Sequence, residues 1–342
     1  MIKWGIIQPL TGGAAFGGEA AIGTTPSWII SYPGLTDVKY NKDGKMTSVG
    51  NEYGLLKWYK DHSKLPPYQV FNKKPFQQTN LDVDLIDDPV WTNGKVDYSN
   101  TDLVVSVPVC SGLSQATIAS QDTKDERNCN MLWNAEFALN KIKPKVYIFE
   151  NAPTLFSNAG TSVRESLNAL AKQYGYSIVY YKTDTKLHDN CQRRPRTFVL
   201  FIQHRDGKEG SPTLNFEDKQ VSIEEFFSRI PHDATQQVTV NMSDTNKLFI
   251  DYFKHKYGEN FRDSVEPWIL KKIIDNDLYD DLCTFAENSD YQQKTKDLLI
   301  HLIRHIHDKI AAGKNYYCML PGYAKLDGTI PAVMFKTIPS LL

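Results

Sequence analysis

The chain has 342 residues, 41% hydrophobic and 12% aromatic, which suits one large or two modest cores and excludes a disordered chain. A formal net charge of −1 leaves no global pull toward nucleic acid, and five irregularly spaced cysteines argue against a disulfide framework and for a reducing compartment. No apolar run approaches the roughly 20 residues that span a bilayer, and the start lacks the apolar core of a signal peptide, so a cytoplasmic protein is expected.

Residues 4–8 predict a short apolar strand. It runs through Pro9-Leu10-Thr11-Gly12-Gly13 into an Ala-rich helix, the opening of a nucleotide- or cofactor-binding α/β unit. Residues 27–32 read as a second strand, and residues 33–50 as a polar, loop-like insertion. Asn51-Glu52-Tyr53 then opens a helix with Leu55, Leu56, Trp58 and Tyr59 as its apolar positions. Glu52 has two readings, a ribose-binding acid or a favourable charge in a first helical turn. Residues 68–71 read as a third strand, followed by a long polar stretch over 73–100. Its acidic residues Asp82, Asp84, Asp87 and Asp88 suit a solvated loop better than a metal site.

Residues 103–107 form a β-branched buried strand that Pro108 ends by removing a backbone donor. Cys110 follows in a polar turn, at the strand end where open α/β sheets place their ligands. From this stretch alone, Cys110 reads better as one more small buried residue than as a reactive thiol. Residues 114–128 are polar, and 131–142 predict a helix stopped by Lys143-Pro144. Residues 146–149 predict another buried strand, running directly into Glu150-Asn151-Ala152-Pro153. An amphipathic helix over 163–174 stops at Gly175, and strands follow at 177–181 and 197–203. Between those strands, Arg193, Arg194 and Arg196 form either a surface charge run or an anion site.

From residue 206 the chain becomes lysine-rich and helix-patterned, and from 316 it turns apolar and Pro/Gly-punctuated again. The expected organisation is a first domain over 1–205, a second over 206–315 and a return segment over 316–342. His301, His305 and His307 lie close together, but no cysteine or carboxylate pattern completes a zinc site, so no metal is expected.

The order of these segments resembles the DNA cytosine-C5 methyltransferase family. Pro108-Val109-Cys110-Ser111-Gly112-Leu113-Ser114 is similar to its Pro-Pro-Cys-x-x-Phe-Ser loop, and Glu150-Asn151-Ala152 to its Glu-Asn-Val triplet. Gln192-Arg193-Arg194-Pro195-Arg196 matches its Gln-x-Arg-x-Arg segment. Leu10, Thr11, Gly12 and Phe16 resemble the Phe-x-Gly-x-Gly cofactor loop, with Leu10 for the first Phe and Ala14-Ala15 where glycines are usual. Asn51-Glu52-Tyr53 resembles the element that binds ribose through the acid and stacks adenine on the aromatic ring.

The resemblance implies an α/β fold, a Rossmann-like S-adenosyl-L-methionine-dependent methyltransferase sheet with a second, mostly helical target-recognition domain. It implies Cys110 as the nucleophile that adds to cytosine C6, with Glu150 on N3 and the exocyclic amine. Arg194 would hold O2, and Arg196 would support the loops or a phosphate. Leu10, Thr11, Gly12, Phe16, Glu52, Tyr53 and Pro108 would bind the cofactor. The substrate would be double-stranded DNA with its target base flipped out, gripped by cations such as Lys143, Lys145, Arg205, Lys208 and those near Arg304–Lys314. No Gln-x-Gly-Asn-like closing segment follows residues 326–331. Either the chain is cut before it, a second polypeptide supplies it, or this homologue does without; a bacterial, phage-encoded or other prokaryotic setting is expected. Two other readings stay open: a non-catalytic DNA-binding or regulatory homologue, and an enzyme that attaches another group to a pyrimidine.

Overall fold

A computed structural model describes residues 1–44, 46–73, 84–110, 113, 128–190, 192–205, 208–210, 218–229, 244–258, 279–311 and 330–331. Alternating burial along short apolar strands builds its centre, because successive side chains point to opposite faces of a sheet. The strands are β1 (Trp4–Ile7), β2 (Trp28–Ser31), β5 (Tyr68–Phe71), β6 (Leu85–Ile86), β7 (Leu103–Ser106), β8 (Val146–Asn151), β9 (Tyr176–Asp184) and β11 (Pro195–Gln203). They hydrogen-bond in the order β6-β5-β2-β1-β7-β8-β11-β9. From β5 to β8 the sheet is parallel, whereas β11 runs antiparallel to β8.

Helices cover both faces. On one side α1 (Gly13–Ile22) and α2 (Tyr53–Asp61) close over Trp4, Ile6, Ile29, Tyr68 and Val70. On the other, α3 (Cys129–Phe137) and α4 (Thr161–Tyr174) bury Ile7, Ile30, Phe71, Val104, Tyr147 and Phe149. This is a doubly wound, Rossmann-like α/β sheet. The chain order reverses between β1 and β7, and that switch point opens a crevice at the carboxyl ends of the parallel strands.

Three local expectations change. The insertion 33–50 is not a plain loop but carries an antiparallel hairpin, β3 (Val38–Tyr40) and β4 (Met46–Val49). The helix expected at 131–142 begins at Cys129, and a π-helical turn over Ala138–Ile142 completes it. Lys143 closes that turn in the left-handed region at φ 55°. Thirdly, Asp87 and Asp88 are not merely solvated. Asp87 accepts a 2.8 Å bond from Gln69, and Asp88 accepts from the Val90 and Trp91 N–H groups at 2.9 and 3.0 Å. Asp82 lies outside the described residues.

Two compact units divide the chain: residues 1–183 with 196–214, and residues 184–195 with 215–342. In the second, α5 (Ile223–Ser228), α6 (Asp244–Tyr257), α7 (Tyr279–Asn288) and α8 (Gln293–Ala311) are helical. Leu248, Tyr252, Phe253, Leu282, Ala286, Leu299 and Ile303 are buried on α6–α8. Tyr252 donates to Asp281 at 3.0 Å, and Tyr291 to Asp251 at 2.7 Å. A short parallel pair joins β10 (Gln192–Arg193) to β12 (Ile330–Pro331). The rest of the return segment lies outside the described residues, as do 114–127. Among the described residues, no helix is long and apolar enough to cross a membrane.

Candidate active site at the switch point

The turn after β1 carries unusual backbone. Gln8 and Leu10 adopt positive φ of 56° and 50°, and Gly12 lies at φ 94°. A side chain at Gly12 would also put its Cβ 2.8 Å from Leu55 Cδ1, so glycine is required there. Thr11 is exposed at the tip. Phe16, 39% exposed on α1, packs edge-on against Trp58 of α2 at 5.0 Å.

Glu52 reaches this turn because the hairpin folds the chain back on itself. Leu35 O accepts the Glu52 N–H at 2.9 Å, and Asp37 O accepts the Gly50 N–H at 2.7 Å. Residues 33–50 therefore leave and re-enter at the end of β2, and Glu52 arrives beside Leu10, whose N–H donates to Glu52 Oε1 at 3.3 Å. Glu52 is fully buried, and its Oε2 has no hydrogen-bond partner among the described residues. Burial pushes its carboxyl up to about 8, and the Leu10 N–H offsets that only in part. Tyr53 is half-buried and meets Trp91 edge-on at 5.6 Å.

Across the crevice, β7 ends at Ser106, and buried Pro108 and half-buried Cys110 follow. Cys110 O accepts the Leu113 N–H at 3.0 Å, Leu113 is fully buried, and Thr154 donates its hydroxyl to the Leu113 carbonyl. In the next strand, Phe149 pairs with Ser106, so Glu150 lies one residue beyond that register at the same edge. Arg196 enters antiparallel β11 beside it, and its Nε forms an ion pair with Glu150 Oε1. Arg194 belongs to the second unit; there its N–H donates to Asp184 Oδ1 at 2.9 Å and its carbonyl accepts from Thr185 at 3.3 Å.

One edge of the sheet thus gathers Leu10, Thr11, Gly12, Glu52, Pro108, Cys110, Glu150 and Arg196. Four expected DNA-gripping cations do not join them. Lys143 and Lys145 precede β8 at its amino end. Gln203, the last residue of antiparallel β11, donates to Lys145 O at 3.0 Å, so Arg205 and Lys208 follow at that same far edge. Lys145 is ion-paired there with Asp102.

Sequence reasoning also missed a buried polar cluster beneath the crevice. Tyr32 donates to Asn134 Oδ1 at 2.5 Å, while Asn134 Nδ2 donates to Gln8 Oε1 at 3.1 Å and Ser106 Oγ at 3.4 Å. Its sequence signal is Asn134 itself, an amide inside a helix whose flanking residues are apolar. Among the described residues, no group of three His, Cys, Asp or Glu could hold a metal ion.

The model of the C-5 cytosine-specific DNA methylase family matches residues 66–321, most of the chain. The chain belongs to that family. The matched span takes in Cys110, Glu150, Arg194 and Arg196, but not the β1 turn or Glu52. Members of the C-5 methylase family use S-adenosyl-L-methionine. No curated protein matches the chain.

Among solved structures, the chain is similar to the Entamoeba histolytica methyltransferase EhMeth at 15% identity and a TM-score of 0.39, covering 66% of this chain and 59% of that one. It is also similar to the S. pombe Dnmt2 methyltransferase at 15% identity and a TM-score of 0.35, covering 72% and 60%. An E. coli prophage protein named as a DNA modification methyltransferase matches at 16% identity and a TM-score of 0.34, covering 59% and 47%. The chain spans about half to three-fifths of the length of these relatives.

Proposed function

We propose that the chain methylates C5 of cytosine in double-stranded DNA through a covalent adduct between Cys110 and C6 of a flipped base. The observation that carries this reading is the placement of Cys110 and Glu150 after two adjacent parallel strands, beside the switch point. Cytosine C5 is a poor nucleophile, so electrons must first enter the ring. The Cys110 thiolate attacks C6 and supplies them. Glu150, protonated as it meets the flipped base, donates to N3 and accepts from the exocyclic amine, stabilising the charge that develops there. Arg196 holds Glu150 in place. After methyl transfer, a water or carboxylate removes the C5 proton, the C6–S bond breaks and the thiolate is restored.

The residues present fit S-adenosyl-L-methionine. Glu52 offers a buried oxygen without a partner to incoming ribose hydroxyls, and the turn at Leu10, Thr11 and Gly12 brings bare backbone against it. Phe16, Tyr53 and Pro108 supply apolar surface nearby. When bound, the cofactor supplies an electrophilic methyl group. The helices of residues 206–315 are assigned to target recognition.

A duplex carrying 5-fluorocytosine tests the mechanism, because fluorine cannot leave as a proton. In the presence of S-adenosyl-L-methionine it should trap the wild type covalently on Cys110. Cys110→Ser should abolish turnover while keeping DNA affinity within a few-fold, and Glu150→Gln should cut the rate by about two powers of ten. An adduct on another cysteine, or activity surviving Cys110→Ser, refutes the assignment. DNA binding with no cofactor affinity and no adduct favours a non-catalytic homologue instead.

A further inference from the structure

We infer that Asn130 is a positioning residue for the Cys110 loop, an inference that rests on Cys110 being the nucleophile. Asn130 is fully buried in the first turn of α3, and its Oδ1 accepts the Val109 N–H at 2.8 Å. Val109 is the residue immediately before Cys110. The two residues lie far apart in sequence, so this bond ties the loop after β7 to a helix whose buried face packs in the core.

The anchor is needed where it stands. Pro108 has no N–H to offer a neighbour, and β7 pairing ends at Ser106. Val109 is therefore the first backbone donor after Pro108 that can fix the approach to the thiol. On the far side, the Cys110–Leu113 turn and the Thr154 hydroxyl pin Leu113 in the core. Cys110 is thus clamped from both directions. A reacting sulfur must sit within a few tenths of an ångström of its in-line path, and a misplacement of about 1 Å can cost on the order of 100-fold in rate. An asparagine suits this first turn because its short side chain bonds backbone groups outside the helix.

Asn130→Leu removes the acceptor while keeping the branching at Cγ, Asn130→Ser shortens the reach, and Asn130→Asp keeps an acceptor oxygen in a helix first turn that favours negative charge. Trapping on a 5-fluorocytosine duplex should slow about 10- to 100-fold in the Leu and Ser variants, with DNA affinity within about twofold of wild type. The Asp variant should trap within about threefold of wild type. Alkylation of Cys110, measured by peptide mapping against Cys283 as internal reference, should change by about threefold or more in Leu and Ser but not in Asp. Wild-type trapping in a folded Leu or Ser variant, or an Asp variant as slow as Leu, overturns the inference. If the wild type forms no adduct, the proposed function falls. The alkylation ratio then decides Asn130 alone: a ratio unchanged by Leu and Ser rejects the anchor, and a changed ratio sustains it.

Discussion

Burying Glu52 carries a cost that the proposed cofactor site would use. An ordinary glutamate ionises near 4.5, but burial holds this one protonated up to about 8. Between those values the folded chain keeps a proton that the unfolded chain has released. Stability from this group therefore falls as pH rises from about 4.5 to 8. Glu52→Gln removes the titration. Its Tm should exceed that of wild type by a margin that is larger at pH 8 than at pH 5, measured by scanning calorimetry. The same substitution should weaken S-adenosyl-L-methionine binding, because an ionised carboxylate accepts ribose hydroxyls better than an amide does. Wild-type affinity should rise with pH through about 8 while the variant stays flat; titration calorimetry at three pH values checks it. The ion pair between Arg196 and Glu150 gives a second residue-scale prediction. Arg196→Leu leaves Glu150 without its orienting partner and should lower kcat by about tenfold or more with little change in cofactor affinity, measured by tritiated-methyl transfer.

At the scale of elements, the β3–β4 hairpin sets where Glu52 stands. Its neck is narrow: a Cβ on Gly50 would lie 2.1 Å from the Leu35 carbonyl oxygen, a backbone atom that cannot step aside. Gly50→Ala should therefore force the neck open, cost roughly 1–3 kcal/mol of stability and weaken the cofactor site together with it. Chemical denaturation and cofactor titration on the same preparation check both. Loss of stability with cofactor affinity untouched would show that the neck does not position Glu52.

On the scale of the whole molecule, strand polarity separates two charged edges. Lys143, Arg205 and Lys208 stand at the amino end of β8, and Cys110 and Glu150 at the carboxyl edge, roughly 15–20 Å away across the strand. That exceeds the Debye length of about 10 Å at 0.1 M salt. Replacing all three cations by Gln should change the Kd for a target duplex by less than about twofold, read by fluorescence anisotropy. A tenfold loss would place DNA on the far edge and reject the proposed binding face.

Residue types and their order, without any coordinates, carried the family, the alternating strands and the candidates Cys110, Glu150 and Glu52, because thiolate and carboxylate chemistry leaves recognisable neighbours in the chain. The stop of α4 at Gly175 was equally legible, since a left-handed C-cap favours glycine. Other features depended on contacts between segments far apart in sequence. The parallel register of β7 and β8 brought Cys110 and Glu150 to one edge, and the antiparallel entry of β11 put Arg196 on Glu150. The same polarity moved Lys143, Lys145, Arg205 and Lys208 away from that edge. The hairpin within 33–50 read as a loop because it is mostly exposed and buries no core face, which leaves no apolar alternation to detect. The bond from Val109 to Asn130 was invisible for a related reason. A polar side chain declares its partner only once folding has removed water and left one acceptor within reach.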